Sequence, residues 1–383
     1  MWCLLIEKII NTGKTISIEL FWKKIFGFDI IRSLAVILVM TGHVLGYIYA
    51  GEYSFFIAFF SGLFGVELFF ILSGVLIGEL LIEVFDNDNV WKNLKVFIIR
   101  RWLRTLPLYF IMLIIYWAGN KYVDSVQNAD VALWKYFLLI QNFFQIQPTF
   151  FGISWSLSIE EYFYVLFPLT LLLVKQIKRD FSTEKIISTG ALIFLFYFLL
   201  MRITAFSHYD FTFYEGVRKI AFFRLDAIAF GIITAIAFHF HQKRISINRY
   251  SLLWMGIAIL IFNQYLIFRN NYSDLYYFNT IYYSVSGLAL ASVFPFFKEI
   301  KCSGTLFLRI IQYLSKVSYS LYLQHWLVYK FLELSYFSFL PGIIKFILFF
   351  LISFITAGVS YTYIEKPIMR YRNKVYPKLN IRI

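Results

Sequence analysis

Ten stretches of this sequence stay apolar for about the length a helix needs to cross a hydrocarbon core, and nothing else in it restricts the possible folds as strongly. They run over residues 28–49, 55–84, 97–118, 150–174, 185–206, 218–240, 250–268, 278–297, 308–333 and 341–364. In lipid the backbone has to satisfy its own hydrogen bonds, so continuous runs such as Phe346 to Ile355 predict helices. A transmembrane barrel would show short alternating segments instead. The expected fold class is therefore an all-α integral membrane protein with about ten transmembrane helices. Composition excludes the soluble alternative: 60% of the 383 residues are hydrophobic and 15% are charged, with a mean hydropathy of +0.70. Soluble domains carry about a quarter charged residues.

Basic residues set the direction of these helices, because cytoplasmic loops are enriched in Lys and Arg. Lys8, Lys14, Lys23 and Lys24 precede the first run, and Lys92, Lys95, Arg100, Arg101 and Arg104 surround the start of the third. Lys175, Lys178, Arg179 and Lys185 join the fourth and fifth, and Lys243, Arg244 and Arg249 join the sixth and seventh. Lys298, Lys301 and Arg309 join the eighth and ninth; Lys366, Arg370, Arg372, Lys374, Lys378 and Arg382 follow the tenth. The intervening connections hold little more than Lys121, Lys135 and Arg269. This alternation supports the count of ten and predicts that both termini are cytoplasmic. The net charge of +14 then reflects loops beside anionic lipid, not a nucleic-acid surface.

Three segments are expected: a cytoplasmic N-terminal segment at 1–27, a ten-helix domain at 28–364 and a basic cytoplasmic tail at 365–383. Cys3 and Cys302 both fall on the cytoplasmic side, where a disulfide is not expected. Glu7 and Lys8 interrupt the early apolar stretch, so a cleaved signal peptide is not expected. The longest connection, 119–149, is placed outside, and its WKYFLLIQNFF stretch reads as a short interfacial or re-entrant helix.

Ionisable groups within a span are costly and mark candidate sites. Asp29, Arg32 and His43 share nearly one helix face, with His43 about 20 Å from the cytoplasmic start at 1.5 Å per residue. Glu67 lies deep in the second run, among Gly65, Ser73, Gly74 and Gly78, small residues that let helices approach closely. Arg100, Arg101 and Arg104 crowd the start of the third, and guanidinium forks suit phosphate better than lysines do. Ser156, Glu160 and Tyr164 make a polar stripe on the fourth, with Glu161 pointing elsewhere. Arg224 and Asp226 fall in the sixth; Ser318, Tyr322 and His325 share a face of the ninth. Each is open to reading as a structural polar group, yet together they predict a polar cavity within the bundle.

These residues resemble the membrane-bound acyltransferases of type 3, which O-acylate sugars and related acceptors. The marks are Asp29, Arg32 and His43, then GVELFFILSG, the arginine cluster, WSLSIEEYFY, SYSLYLQH, and Tyr363 with IEKP at Ile364 to Pro367. The resemblance covers nearly the whole chain. It implies a ten-helix enzyme of a bacterial cell membrane that moves an acyl group, usually acetyl, from cytoplasmic acyl-coenzyme A to a hydroxyl of a surface or lipid-linked glycan. It places the family's key histidine on His43, its arginine motif on Arg101 and Arg104, and its acidic fourth-span position on Glu160. Ser33 stands where Gly is common and Glu67 where Asp is common. Because the chain ends soon after the tenth run, the extracytoplasmic esterase-like domain of some relatives is not expected.

The chemistry fits these residues independently. A sugar hydroxyl attacking a thioester needs a positioned base, and a neutral imidazole such as His43 suits that task. Asp29, Arg32 and Glu160 complete the expected catalytic set. Arg100, Arg101 and Arg104 would hold the donor phosphates, and no metal is required. Arg32, Arg224, Tyr322 or a hydroxyl would stabilise the oxyanion, and transfer is either direct or by way of an acyl-enzyme on His43 or a serine. Trp155, Tyr162 and Tyr164 are candidates to stack on a sugar ring. The rival reading is a glycan flippase, against which stands the lack of paired halves in the sequence.

Overall fold

The computed structural model describes residues 25–48, 52–123, 132–146, 150–206, 217–269, 275–301, 305–333, 337 and 339–377. Cys3, Cys302 and the lysines that precede the first run lie outside them. The described elements are helical, with no strand among them. In order they are α1 (Phe26–Ile48), α2 (Glu52–Phe85), α3 (Val90–Val123), α4 (Leu133–Phe137), α5 (Trp155–Ile177), α6 (Thr183–Phe206) and α7 (Ala229–Phe240). They continue with α8 (Gln242–Ile247), α9 (Arg249–Arg269), α10 (Leu275–Thr280), α11 (Tyr282–Lys298), α12 (Thr305–Leu332), α13 (Gly342–Ser360) and α14 (Lys366–Val375). Five helical segments among the described residues are long and apolar enough to cross a membrane: Phe26–Leu45, Gly62–Phe85, Gly152–Ile177, Thr183–Phe206 and Gly342–Val375.

The centre is a layer of α1, α2 and α7, with α12 against the far side of α1 and α11 paired with α9 at the periphery. The small residues on α2 explain its central place. A Cβ on Gly74 would lie 2.1 Å from the Ile228 carbonyl oxygen, and one on Gly231 would lie 2.1 Å from that of Ile71. The backbones of α2 and α7 therefore touch at this crossing, which only glycine permits.

Three of the apolar runs differ from single, separate helices. The sixth is not helical throughout: a 3-10 turn at Ala221–Phe223 and further turns precede α7, which begins at Ala229. The cause lies in the fifth run, in Arg202, which is not among the candidates named from sequence. Arg202 is 1% exposed and donates to the carbonyls of Phe223 (2.7 Å) and Thr280 (3.0 Å), to the Ser284 hydroxyl, and to both carboxylate oxygens of Asp226 (2.8 and 2.7 Å). One guanidinium thus satisfies backbone oxygens that a helix would otherwise pair, and irregular backbone is tolerated because it is buried in protein. The eighth run breaks at Ile281, between α10 and α11, beside the same arginine. The tenth does not stop at 364. It passes through a π turn, Tyr361–Glu365, into α14, so residues 366–375 form a helix within the stretch expected as a tail.

The third helix starts earlier than its apolar run. The Asp86 to Asn89 turn residues end at Val90, so Arg100 lies ten residues into α3, about 15 Å from its start. The expected interfacial helix in 134–144 shrinks to α4, after which the chain bends through Leu139 at φ 58° and enters the bundle. Gln141 and Asn142 are fully buried there. Gln141 donates to the hydroxyls of Ser154 and Ser158, and Asn142 donates to the carbonyls of Trp155 and Lys219. This plug also pairs with the irregular sixth segment, through Ala221 N–H to the Asn142 carbonyl at 2.8 Å.

Candidate functional site

A cavity of about 400 Å³ lies between α1, α2, α3, α5 and α12, with Arg372 of α14 at one edge. Its polar lining comprises Asp29, Arg32, Ser73, Arg100, Arg101, Arg104, Thr105, Ser156, Glu160, Tyr164, Ser318, Tyr319, Tyr322 and Arg372. Ten of the fifteen residues expected at a site from sequence are thus brought together. The longest part of the apolar wall is one face of α2, from Val66 through Phe69, Phe70, Leu72, Leu76 and Leu80 to Val84, with Ile25, Phe28, Val96, Phe97, Leu157 and Leu323 completing it. The eighteen steps from Val66 to Val84 measure about 27 Å along the helix. Five arginines face two carboxylates in this lining, an excess of three positive charges.

Each acid in the cavity is held in place. Ser315 bridges the first pair: its hydroxyl donates to Asp29 at 2.5 Å and accepts from Arg32 at 3.0 Å, while Asp29 and Arg32 themselves are 3.7 Å apart. Glu160 accepts from Ser73 at 3.1 Å and Tyr164 at 2.8 Å. Arg101 sits over the Tyr164 ring, 5.2 Å from its centroid. Glu161 points away, as expected for adjacent helix positions, and accepts from Thr105 at 2.6 Å. Arg101 and Arg104 have no hydrogen-bond partner among the described residues, so their guanidiniums are available to a ligand.

At the other end of the cavity, Tyr322 donates to the Ile153 carbonyl at 3.0 Å, which leaves Ser156 to donate to the Tyr322 oxygen at 2.6 Å. His43 and His325 are absent from the cavity lining and stand behind this floor, with the Tyr322 and His325 ring centroids 5.9 Å apart. The two histidine rings are nearly parallel, with centroids 5.0 Å apart, and Trp326 packs edge-on against His43 at 5.3 Å.

The hydrogen bonds of this pair assign its protons. Nδ1 of His325 lies 3.1 Å from the Leu321 carbonyl oxygen, which can only accept, so Nδ1 carries the proton. Neutral His325 then has a bare Nε2, and this must accept from Nδ1 of His43 at 2.8 Å. By the same rule a neutral His43 keeps a lone pair on Nε2. No partner for that nitrogen exists among the described residues.

Three expected site residues belong to the frame of the bundle. Glu67 finds its partner in Arg224 at 2.6 Å, both 1% exposed or less, with Arg224 also over the Tyr283 ring at 3.9 Å. Asp226 is the partner of Arg202 and not of its neighbour Arg224. The two C-terminal motifs meet each other: Ser320 of SYSLYLQH donates to Glu365 of IEKP, and Gln324 donates to Ser360 at 2.7 Å.

Three cavity or core arginines, Arg202, Arg218 and Arg372, are not among the candidates named from sequence. Arg202 carried a usable signal, a charge inside an apolar run. Arg372 carried none, because a basic residue after the last run looks like any other topology signal.

The family described as an acyltransferase domain matches residues 25–362 of this chain. A Staphylococcus aureus (strain COL) protein provisionally named an O-acetyltransferase is 26% identical, over 93% of this chain and 58% of its own length. The peptidoglycan O-acetyltransferase OatA of Listeria monocytogenes is 25% identical, over 91% of this chain and 56% of its own. The Bacillus subtilis protein provisionally named peptidoglycan O-acetyltransferase YrhL is also 25% identical, over 89% and 54%. The chain thus spans little more than half the length of these curated relatives. No solved structure matches it.

Proposed function

The chain belongs to the acyltransferase-domain family, and on that premise we propose that it is an integral-membrane O-acyltransferase. In this reading it crosses a bacterial cell membrane ten times with both termini in the cytoplasm, the membrane domain spanning 28–364. It moves an acyl group, acetyl by the names of its relatives, from cytoplasmic acyl-coenzyme A to a hydroxyl of a cell-envelope glycan. The observation that carries this reading is the division of the site. An arginine-rich cavity suits a polyanionic donor entering from one end, and a histidine with a directed lone pair lies behind the other.

The acceptor oxygen attacks the thioester carbonyl carbon while its proton passes to Nε2 of His43. The new C–O bond forms, the C–S bond breaks, and the proton on Nε2 goes to the departing sulfur. His325 is a positioning residue here: by accepting from Nδ1 it turns Nε2 toward the reaction. Arg101 and Arg104 hold phosphate, Glu160 and Tyr164 orient Arg101, and the Asp29–Ser315–Arg32 bridge sets the charge of the α1 wall. Because Tyr322 stands between the cavity and the histidines, the reaction requires it to leave Ser156. That barrier also keeps water off the donor until an acceptor arrives.

The test is transfer from acetyl-coenzyme A to cell-wall glycan by the full chain in membrane vesicles, with His43→Ala as the comparison. The variant is expected to remain membrane-inserted and to form no glycan ester. Full activity in it would remove His43 from the mechanism. Wild-type vesicles that form no ester would sink the reading as a whole.

A further inference from the structure

The arginine end of the cavity is built from two elements far apart in sequence. Arg100 of α3 donates to the Tyr376 carbonyl and, at 3.2 Å, to Asn373 Oδ1, which fastens α14 across α3. The helix is carried there rigidly, since α13 runs into it without a break through the π turn. Held this way, α14 brings Arg372 to the cavity edge, half-buried, with Arg100, Arg104 and Arg101 as its charged neighbours. Arg372 uses Nε and Nη2 on Asn373 Oδ1, at 3.2 and 3.0 Å, which fixes the fork and leaves Nη1 for another acceptor. Four guanidiniums gathered at one edge repel each other, and an anion between them relieves that repulsion.

We propose that Arg372 binds the outermost phosphate of the donor, the ribose 3′-phosphate of the coenzyme A moiety, and that Arg100 is a positioning residue that acts through it. This rests on the acyl-coenzyme A reading above. The direction of the donor supplies the argument. The thioester has to point toward Ser156 and Tyr322, at the Val66 end of the α2 wall. The nucleotide then lies toward the Val84 end, and Arg372, which shares Asn373 with Arg100, stands on that side of Arg104. Arg104, one turn further along α3 than Arg100, is placed for the pyrophosphate between them.

Binding of coenzyme A and of 3′-dephospho-coenzyme A to the full chain in detergent, by titration calorimetry, tests the assignment. Arg372→Ala is expected to weaken coenzyme A about tenfold or more, the scale of a lost charged hydrogen bond, and dephospho-coenzyme A less than twofold. Arg372→Lys should recover part of the difference. Arg100→Ala should reproduce the selective loss, and the double variant should be no worse than Arg372→Ala alone. Arg372→Gln serves if the alanine variant does not fold. Equal loss for both ligands, or no loss for either, would overturn the role of Arg372 while leaving the donor reading intact. A wild-type chain that binds neither nucleotide would overturn the donor reading and the Arg372 assignment together.

Discussion

At the scale of single residues, the histidine pair shows how geometry turns an ambiguous side chain into a directed one. His43 alone has two tautomers and two possible proton acceptors. The chain Leu321 carbonyl, His325, His43 removes that freedom. We predict that His325→Leu lowers kcat by roughly tenfold to a hundredfold, short of the full contribution of a general base, and leaves coenzyme A affinity unchanged. His325→Gln, whose Oε1 can accept from Nδ1, should regain part of the rate. Steady-state kinetics paired with equilibrium binding separate the two effects; a loss of binding in His325→Leu would make the residue structural. The stripe Ser318, Tyr322, His325 was legible as one helix face, since periodicity alone fixes it. That its members divide between cavity lining, floor and the pocket behind was not legible, because it depends on what α1 and α5 bring against them.

At the scale of elements, the broken sixth run teaches the most. Hydropathy describes 218–240 as one span, and it cannot see that Arg202, on another helix, donates to the Phe223 carbonyl and the Asp226 carboxylate within it. The pairing followed distance in space and not in sequence: Arg224 and Asp226 are two residues apart, yet each has a partner elsewhere. Replacing one member of a buried pair strands the other charge. Arg202→Ala is therefore expected to destabilise the protein by about 3–5 kcal/mol. Arg202→Met combined with Asp226→Leu should be appreciably milder, because neither charge remains. Thermal unfolding in detergent ranks the two. A single variant no worse than the double would show that Asp226 finds another partner.

At the scale of the whole molecule, the arrangement predicts which surfaces face which side. Asp88 and Lys178 lie in connections assigned to the cytoplasm, and Phe339 in one assigned to the exterior; all three are exposed. With Cys3 and Cys302 replaced by serine, Phe339→Cys should react with an impermeant maleimide on intact cells. Asp88→Cys and Lys178→Cys should react only after permeabilisation. Labelling of all three in intact cells would undo the alternation of basic loops on which the proposed ten crossings rest. Gly74 of α2 and Gly231 of α7 matter at this scale too, because their contact brings two backbones together at the centre of the bundle.

The sequence by itself determined that the chain is helical and apolar enough for a membrane, and which polar and ionisable residues share a helix face within its apolar runs. Both depend on composition and on spacing along one helix, which are local properties. Tertiary structure decided what those residues do to one another: that Glu67 holds Arg224, that Arg202 reshapes a distant run, and that His325 aims His43. It also decided that a C-terminal arginine joins a cluster some 270 residues earlier, at the edge of the cavity. Such pairings are set by which helices touch, and a hydrogen bond depends on distance in space whatever the separation along the chain.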